Sequence, residues 1–241
     1  MTATPDRPLA GRVALVTGAS RGLGAATAIE LARLGAQLVI TARTEGGLAE
    51  TDDAIRALGG PAAVLLPLDL AEGAAVDALG PSLFARFRRL DVLVSAAATL
   101  GKLTPAAHIL PRDYEEVMAV NAAAAWRLIR SCGPLLQIAE AGRAVFATCR
   151  QGRAPAAYWG AYGASKAALD NLVRSWAAEI GDGRLRVNLF DPGPMATRLR
   201  AGAMPGEDPA TLPRPAERAP ALAALCLPAE TRQGTLTGPG C

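Results

Sequence analysis

The sequence predicts an α/β fold, a doubly wound parallel sheet with helices on both faces. Three observations lead there. Short apolar runs, most of them rich in Val, Leu and Ile, recur at Val13 to Val16, Gln37 to Thr41, Ala63 to Leu68, Asp91 to Val94, Arg143 to Ala147 and Leu185 to Phe190, each with the length of a parallel strand buried on both faces. Longer stretches of helical spacing separate them, and a glycine-rich turn joins the first run to the first helical stretch.

Taken in order, the first helical stretch shows Ala25, Ile29, Ala32 and Arg33 at one-turn spacing, and the stretch before the sixth run shows Leu169, Leu172, Val173 and Trp176. Between Ala201 and Pro220 the rhythm breaks, with Pro205, Pro209, Pro213, Pro215 and Pro220 interleaved with Gly202 and Gly206. Such a stretch cannot be one long helix. It follows the sixth strand's carboxyl end, where open α/β sheets bind ligands, so residues from about 200 to 220 are expected to form a substrate-covering loop. No internal repeat or long polar linker divides the chain, and a single domain over residues 1–241 is expected.

At 241 residues, 51% apolar and 20% charged, the chain can bury about 70% of its open-chain surface, enough for a core without disulfides. The 25 basic and 22 acidic residues leave only +3, with the basic groups scattered; neither nucleic acid nor a membrane is expected as a partner. No apolar run reaches the roughly 18 residues needed to span a bilayer. Asp6 and Arg7 lie among prolines where a signal peptide would need apolar residues, so a cytoplasmic location is expected. Cys132, Cys149, Cys226 and Cys241 lack CxxC spacing and are expected as reduced thiols. With His108 the lone histidine, expected on a surface or loop, no metal site is expected.

The turn reads Thr17-Gly18-Ala19-Ser20-Arg21-Gly22-Leu23-Gly24. Glycines there permit a tight turn, let a pyrophosphate approach the main chain, and bring the unpaired N–H groups of a helix N-terminus to its negative charge. Far downstream, Tyr162 and Lys166 stand four residues apart, on one face of a helix. An ammonium about 6 Å from a phenol, at an effective dielectric of about 20, favours phenolate by roughly 3 kcal/mol, or about two pKa units. Such a pair can exchange a proton near working pH.

TGxxxGxG, YxxxK and the Pro192-Gly193 pair after the next strand together resemble the short-chain dehydrogenase/reductase family, over essentially the whole chain. The resemblance implies a Rossmann-like sheet of about seven strands, with Gly234 to Gly238 similar to the last. It also implies an NAD(P)-dependent oxidoreductase of small carbonyls and alcohols, and a homodimer or homotetramer pairing through the helices around Asn121 and Tyr162, where Ala122 to Ala125, Ala167 and Ala168 offer small-residue faces. Cofactor contacts are implied for Gly18, Ser20, Arg21, Gly22, Leu23 and Gly24, for Asp69 and Leu70 near the adenine, for Ala97, and for Pro192, Gly193 and Thr197. Asn121 would kink its helix and position a proton-relay water; Tyr162 would pass the proton; Lys166 would hold the nicotinamide ribose. The position where relatives keep an acidic residue for the ribose of NAD is Ala42, followed by Arg43, so with Arg21 a 2′-phosphate would meet two cations and no carboxylate. NADP(H) is expected over NAD(H).

Two positions depart from the family pattern. The serine that hydrogen-bonds the substrate carbonyl is replaced by Cys149, beside Thr148, and a thiol is a weak donor. The fourth strand ends Ser95-Ala96-Ala97-Ala98 where the family has NNAG. An enzyme is the expected reading; a cofactor-binding protein with little turnover is the alternative that these departures raise. Tyr158 and Trp159 precede Tyr162 by a turn or less and are candidates to line the substrate pocket, while Ser165 is expected in helix packing.

Overall fold

The structure, a computed structural model, describes residues 7–241; residues 1–6, and with them the Asp6 part of the N-terminal reading and the start of the expected domain, lie outside the described residues. The sheet has seven parallel strands in the order β3-β2-β1-β4-β5-β6-β7. These are β1 (Val13–Thr17), β2 (Gln37–Ala42), β3 (Val64–Pro67), β4 (Val92–Ser95), β5 (Arg143–Ala147), β6 (Arg186–Phe190) and β7 (Leu236–Thr237). Alternate residues along a strand face opposite layers. In β1, Val13 and Leu15 enter one apolar cluster with Leu93, Phe146, Leu128 and Trp176, whereas Ala14 and Val16 enter the other with Ile40, Val94, Leu31 and Leu222.

The helices divide accordingly. α3 (Gly73–Asp77), α4 (Leu79–Phe87), α6 (Ala124–Ile138) and α7 (Gly160–Ile180) cover the first layer, and α1 (Gly22–Arg33), α2 (Glu45–Ala57) and α9 (Pro215–Ala224) the second. β1 therefore leads to one face of the sheet while its neighbour β4 leads to α5 (Pro111–Met118) and α6, and a crevice opens between them at the carboxyl ends.

Four expectations are corrected. β3 is not buried on both faces: at the sheet edge its residues alternate, with Leu65 and Pro67 exposed, and Pro67 is tolerated because no further strand needs its N–H. α1 is helical as its spacing predicts, but its buried stripe is Leu23, Thr27, Ala28, Leu31 and Ala32, so of Ala25, Ile29, Ala32 and Arg33 only Ala32 is fully buried. The 200–220 segment is not all loop. α8 (Arg198–Ala203) runs into it, and α9 begins at Pro215, where a missing N–H costs nothing, and packs on α1. Ala124 and Ala125 are buried inside the protomer, in the first core layer, so of the alanine faces only Ala123, Ala167 and, in part, Ala168 reach the surface. No described helix is long and apolar enough to cross a membrane.

Candidate active site

The glycine turn is pressed against the end of β4. Gly18 adopts φ +67°, and a Cβ there would lie 2.7 Å from Ala97 Cα, while one on Gly24 would lie 2.3 Å from Gly18 O. Any side chain at either position would push the turn off the strand. Thr17, wholly buried, accepts hydrogen bonds on its hydroxyl from the N–H groups of Ala96 and Ala97 at 3.2 and 3.3 Å. These bonds hold the strand end whose asparagines the sequence lacks. α1 then starts from Arg21 with no side-chain cap, so its first N–H groups face the cleft. The cleft measures about 1310 Å³, more than the roughly 300–1,000 Å³ of a drug-sized site. Its walls include Gly18, Ser20, Arg21, Gly22, Leu23, Gly24, Arg43, Asp69, Leu70, Ala97, Pro192, Gly193 and Thr197. The turn's close approach and its open N–H groups fit a dinucleotide diphosphate.

At the far end of this wall Arg43 and Arg21 are both exposed. The expectation that no carboxylate stands near is corrected: Asp69 Oδ2 lies 3.9 Å from Arg43 Nη1, with both side chains well exposed. That contact is weak in water. Asp69 is turned toward Arg43 because its other oxygen accepts from Ala71 N at 3.0 Å, closing a local turn before α3. Thr197 lines the cleft, and its hydroxyl caps α8 by accepting from Arg200 N at 3.2 Å.

The catalytic candidates meet where β4, β5 and α7 converge. Between α5 and α6 the chain forms a π-helical segment, Ala119–Ala123, which widens the helix and presents Asn121 inward. Asn121 Oδ1 accepts from Thr99 N, and its Nδ2 donates to Thr99 O and to Ser165 Oγ at 3.0 Å. Ser165 in turn donates to Tyr162 O at 2.7 Å. Ser165 thus ties Asn121 to the first turn of α7; its fixed place between Tyr162 and Lys166 was legible in the sequence, but not its partner. Lys166 is buried, donates to Ala147 O at 2.9 Å and lies 5.9 Å from the centre of the Tyr162 ring.

The expected lowering of the tyrosine's pKa does not appear. Burial pushes Tyr162 well above its ordinary value, and the neighbouring Cys149 thiol pushes in the same direction. Burial likewise pulls Lys166 below the ordinary lysine value. Desolvation is the largest cause in both because both members are almost fully enclosed. Cys149 is itself pushed up by burial, with Lys166 opposing.

Thr148 is removed from contention for the substrate: its hydroxyl donates to Asp170 Oδ1, deep in α7. Cys149 faces the cleft instead and belongs to an apolar cluster with Trp159, Tyr162, Ala203, Leu100 and Leu199. Trp159 meets Tyr162 edge to face at 5.7 Å. Tyr158, at φ +73° and exposed, points elsewhere, and His108 is exposed on a short 3₁₀ turn. All four cysteines are free thiols, and among the described residues no cluster of side chains could hold a metal.

Residues 12–208 match the short chain dehydrogenase family. The chain is 36% identical over 211 residues to the uncharacterised oxidoreductase YciK of Escherichia coli K12, covering 87% of this chain and 83% of that protein. It is 33% identical over 206 residues to the chloroplastic NADPH-dependent aldehyde reductase-like protein of Arabidopsis thaliana, covering 81% and 76%. A short chain dehydrogenase from Escherichia coli CFT073, solved with NADPH, superposes with a TM-score of 0.91 at 33% identity, covering 98% of this chain and 99% of that one.

The buried lysine has a consequence for stability. A base whose folded value is depressed binds fewer protons folded than unfolded, so stability rises with pH as the ordinary value of 10.5 is approached. Above the ordinary tyrosine value of 10 the raised Tyr162 acts in reverse, because the folded chain then holds the extra proton and further alkali favours unfolding. Lys166→Met is expected to abolish the rise below pH 10 and to stabilise the neutral protein by about 1 kcal/mol, net of the lost bond to Ala147 O. Urea unfolding over a pH series measures both; a parent slope retained in the variant would count against it.

Proposed function

The chain belongs to the short chain dehydrogenase family of NAD(P)-dependent oxidoreductases, and from that premise we propose that it interconverts a carbonyl and an alcohol with NADP(H). One observation carries the reading. The Tyr162 hydroxyl and the Cys149 thiol meet at the apolar end of the cleft that the glycine turn opens, with Lys166 beneath them.

When bound, NADP(H) supplies or accepts the hydride. The turn from Gly18 through Ser20, Arg21, Gly22 and Leu23 to Gly24 would hold the diphosphate, and Arg43 with Arg21 the 2′-phosphate. Asp69 and Leu70 would flank the adenine end, Ala97 the middle, and Pro192, Gly193 and Thr197 the nicotinamide end. In the reducing direction Tyr162 gives its proton to the substrate oxygen. A tyrosine held protonated by burial is suited to that half of the reaction, since the proton stays in place until charge develops on the oxygen it faces. Lys166 supplies positive charge below the ring, favouring the phenolate left behind. Asn121 holds the Thr99 backbone and, through Ser165, the start of α7, so that Tyr162 and Lys166 keep their spacing. Cys149 contributes a weak hydrogen bond to the carbonyl.

The substrate end is apolar, walled by Leu100, Trp159, Leu199 and Ala203. Arg200, on α8, is occupied by Glu207 at 2.7 Å, and Arg198, also on α8, is exposed at the rim. A neutral, largely apolar aldehyde or ketone suits this wall better than an anionic substrate. The partner reading is a second copy of the chain. Trp126 and Tyr114, 43% and 42% exposed, border a groove with Met118, Ala123, Ala168 and Leu172 on the outer side of α5, α6 and α7, an apolar surface of the kind that pairs.

Fluorescence titration should find NADPH bound more tightly than NADH, with Arg43→Ala narrowing the gap by about tenfold, the worth of one charge-assisted bond to an exposed phosphate. Equal affinities in the parent would overturn the cofactor preference. NADPH oxidation with a panel of aldehydes and ketones tests the reaction itself. Cys149→Ser, supplying a stronger donor of similar size, should leave cofactor affinity alone and raise the rate roughly tenfold to a hundredfold. No turnover in parent or variant across the panel would overturn the reading. Light scattering should show a dimer or larger; a single protomer at micromolar concentration would refute the pairing.

A further inference from the structure

Behind the catalytic pair lies a charged cluster with no part in the proton transfer. Arg153, on the short segment between β5 and α7, is exposed on one side, yet its guanidinium is divided among four elements. Its Nη2 donates to Asp191 Oδ2 at 2.6 Å and to Gly240 O at 3.3 Å. Its Nη1 donates to Asp170 Oδ2 at 3.4 Å and to Cys149 O at 3.3 Å. Asp191 directly follows β6, Asp170 lies one helical turn beyond Lys166, and Gly240 follows β7.

The carboxylates are equally committed. Asp170 accepts the Thr148 hydroxyl, and Asp191 Oδ1 accepts from Gly193 N at 3.0 Å, in the turn that closes the nicotinamide end of the cleft. A Cβ on Gly240 would stand 2.1 Å from that same oxygen, so the chain after β7 is fitted directly against Asp191. Both carboxylates are nearly inaccessible to water, at 6% and 1% exposed for Asp170 and Asp191, and a buried pair of like charges is tolerated only with a cation between them.

We propose that Arg153 is a positioning residue for carbonyl reduction: it fixes the backbone of Cys149 against the substrate oxygen, and it cancels two carboxylates that stand behind Tyr162 and Lys166. The groups facing this cluster are Cys149 on the β5–α7 segment, Tyr162, Lys166 and Asp170 on α7, Asp191 directly after β6, and Cys241 beyond β7. Asp191 acts on Tyr162 and on Lys166 in the direction that holds a proton, so a bare Asp191 would keep the tyrosine's proton more firmly still. The inference rests on the reductase reading, and its experiment separates the two.

Arg153→Gln is expected to bind NADPH within about twofold of the parent while kcat on an accepted carbonyl falls more than tenfold with KM little changed, the pattern of a contact realised in the transition state. The alkaline limb of the rate profile should move up by about one pH unit, the effect of a unit charge acting over roughly 10 Å at an effective dielectric of about 20. Arg153→Lys restores charge without the fork, so it should return the limb and recover only part of kcat. A Gln variant with parent kcat and parent limb overturns the proposal, as does a Lys variant whose limb stays displaced. Should the Gln variant fail to bind NADPH, Asp170→Asn, which keeps the closer Arg153–Asp191 pair, should move the limb down, and an unmoved limb overturns the proposal. If the parent reduces no carbonyl, the reductase reading fails by itself, and ultraviolet titration of tyrosinate reads the charge directly. The chain has three tyrosines, of which Tyr114 and Tyr158 are exposed, so the last step belongs to Tyr162; a later step in Arg153→Gln supports the proposal and an identical one overturns it.

Discussion

Everything at this site depends on how closely the backbone turn at Gly18 can approach the end of β4. The neighbouring strands β1 and β4 send their chains to opposite faces of the sheet, and the gap this leaves is useful only if the first turn stays flat against Ala97. A Cβ at Gly18 or Gly24 would lift the turn, and α1 would carry its N-terminal amides away from the cleft floor. Thr17 completes the fit by turning its hydroxyl on the two amides that a retreating β4 would leave bare. The tight contact therefore fixes both the depth of the cleft and the direction of the helix that lines it.

Burial governs the chemistry at the other end of the cleft. A lysine one helical turn from a tyrosine suggests, from spacing alone, a phenol made more acidic by its neighbour. In the folded chain both groups are enclosed, and loss of water raises the cost of every charge. The outcome is a proton held on Tyr162 and a lysine whose charge is costly to keep. That balance favours giving a proton over taking one. It also makes the surrounding charges consequential, because Asp170, Asp191 and Arg153 act through a medium that screens them poorly.

The sheet and most of the site were legible in the sequence because both are written in local patterns. Buried strands read as short apolar runs, the phosphate turn as glycines at fixed spacing, the catalytic pair as a helical interval. β3 misled because periodicity cannot tell an edge strand from a central one; only the strand order decides which positions see water. The 200–220 stretch misled because proline marks the start of a helix as readily as its end, and Pro215 does the former. What sequence could not yield were pairings between distant elements. Asn121 with Ser165, Thr148 with Asp170, and Arg153 with Asp191 span 44, 22 and 38 residues, and no periodicity links such positions. The doubt over whether Thr148 or Cys149 faces the cleft with a free donor belonged to this class, and one hydrogen bond commits the Thr148 hydroxyl to Asp170.

The two halves of the cleft discriminate by different physics. At the proposed cofactor end the candidate selecting groups are charged and exposed, Arg21 and Arg43, so selection by them would weaken as salt rises. At the substrate end Arg153 is held by two carboxylates and Arg200 by Glu207, Arg150 and Arg198 stand exposed on the cleft's rim, and the surface around Tyr162 is an apolar wall. An apolar wall separates substrates differing by one methylene by only about 1–3 kcal/mol, whereas a buried polar group left without its partner rejects a mismatch far more strongly. On the proposed reading, with Cys149 in place of a hydroxyl, the site would offer one strong polar contact for a substrate oxygen and no second one to lose. Discrimination among carbonyl compounds would then fall to the shape made by Leu100, Trp159, Leu199 and Ala203, and a pocket of that kind would accept a series of apolar substrates rather than a single one.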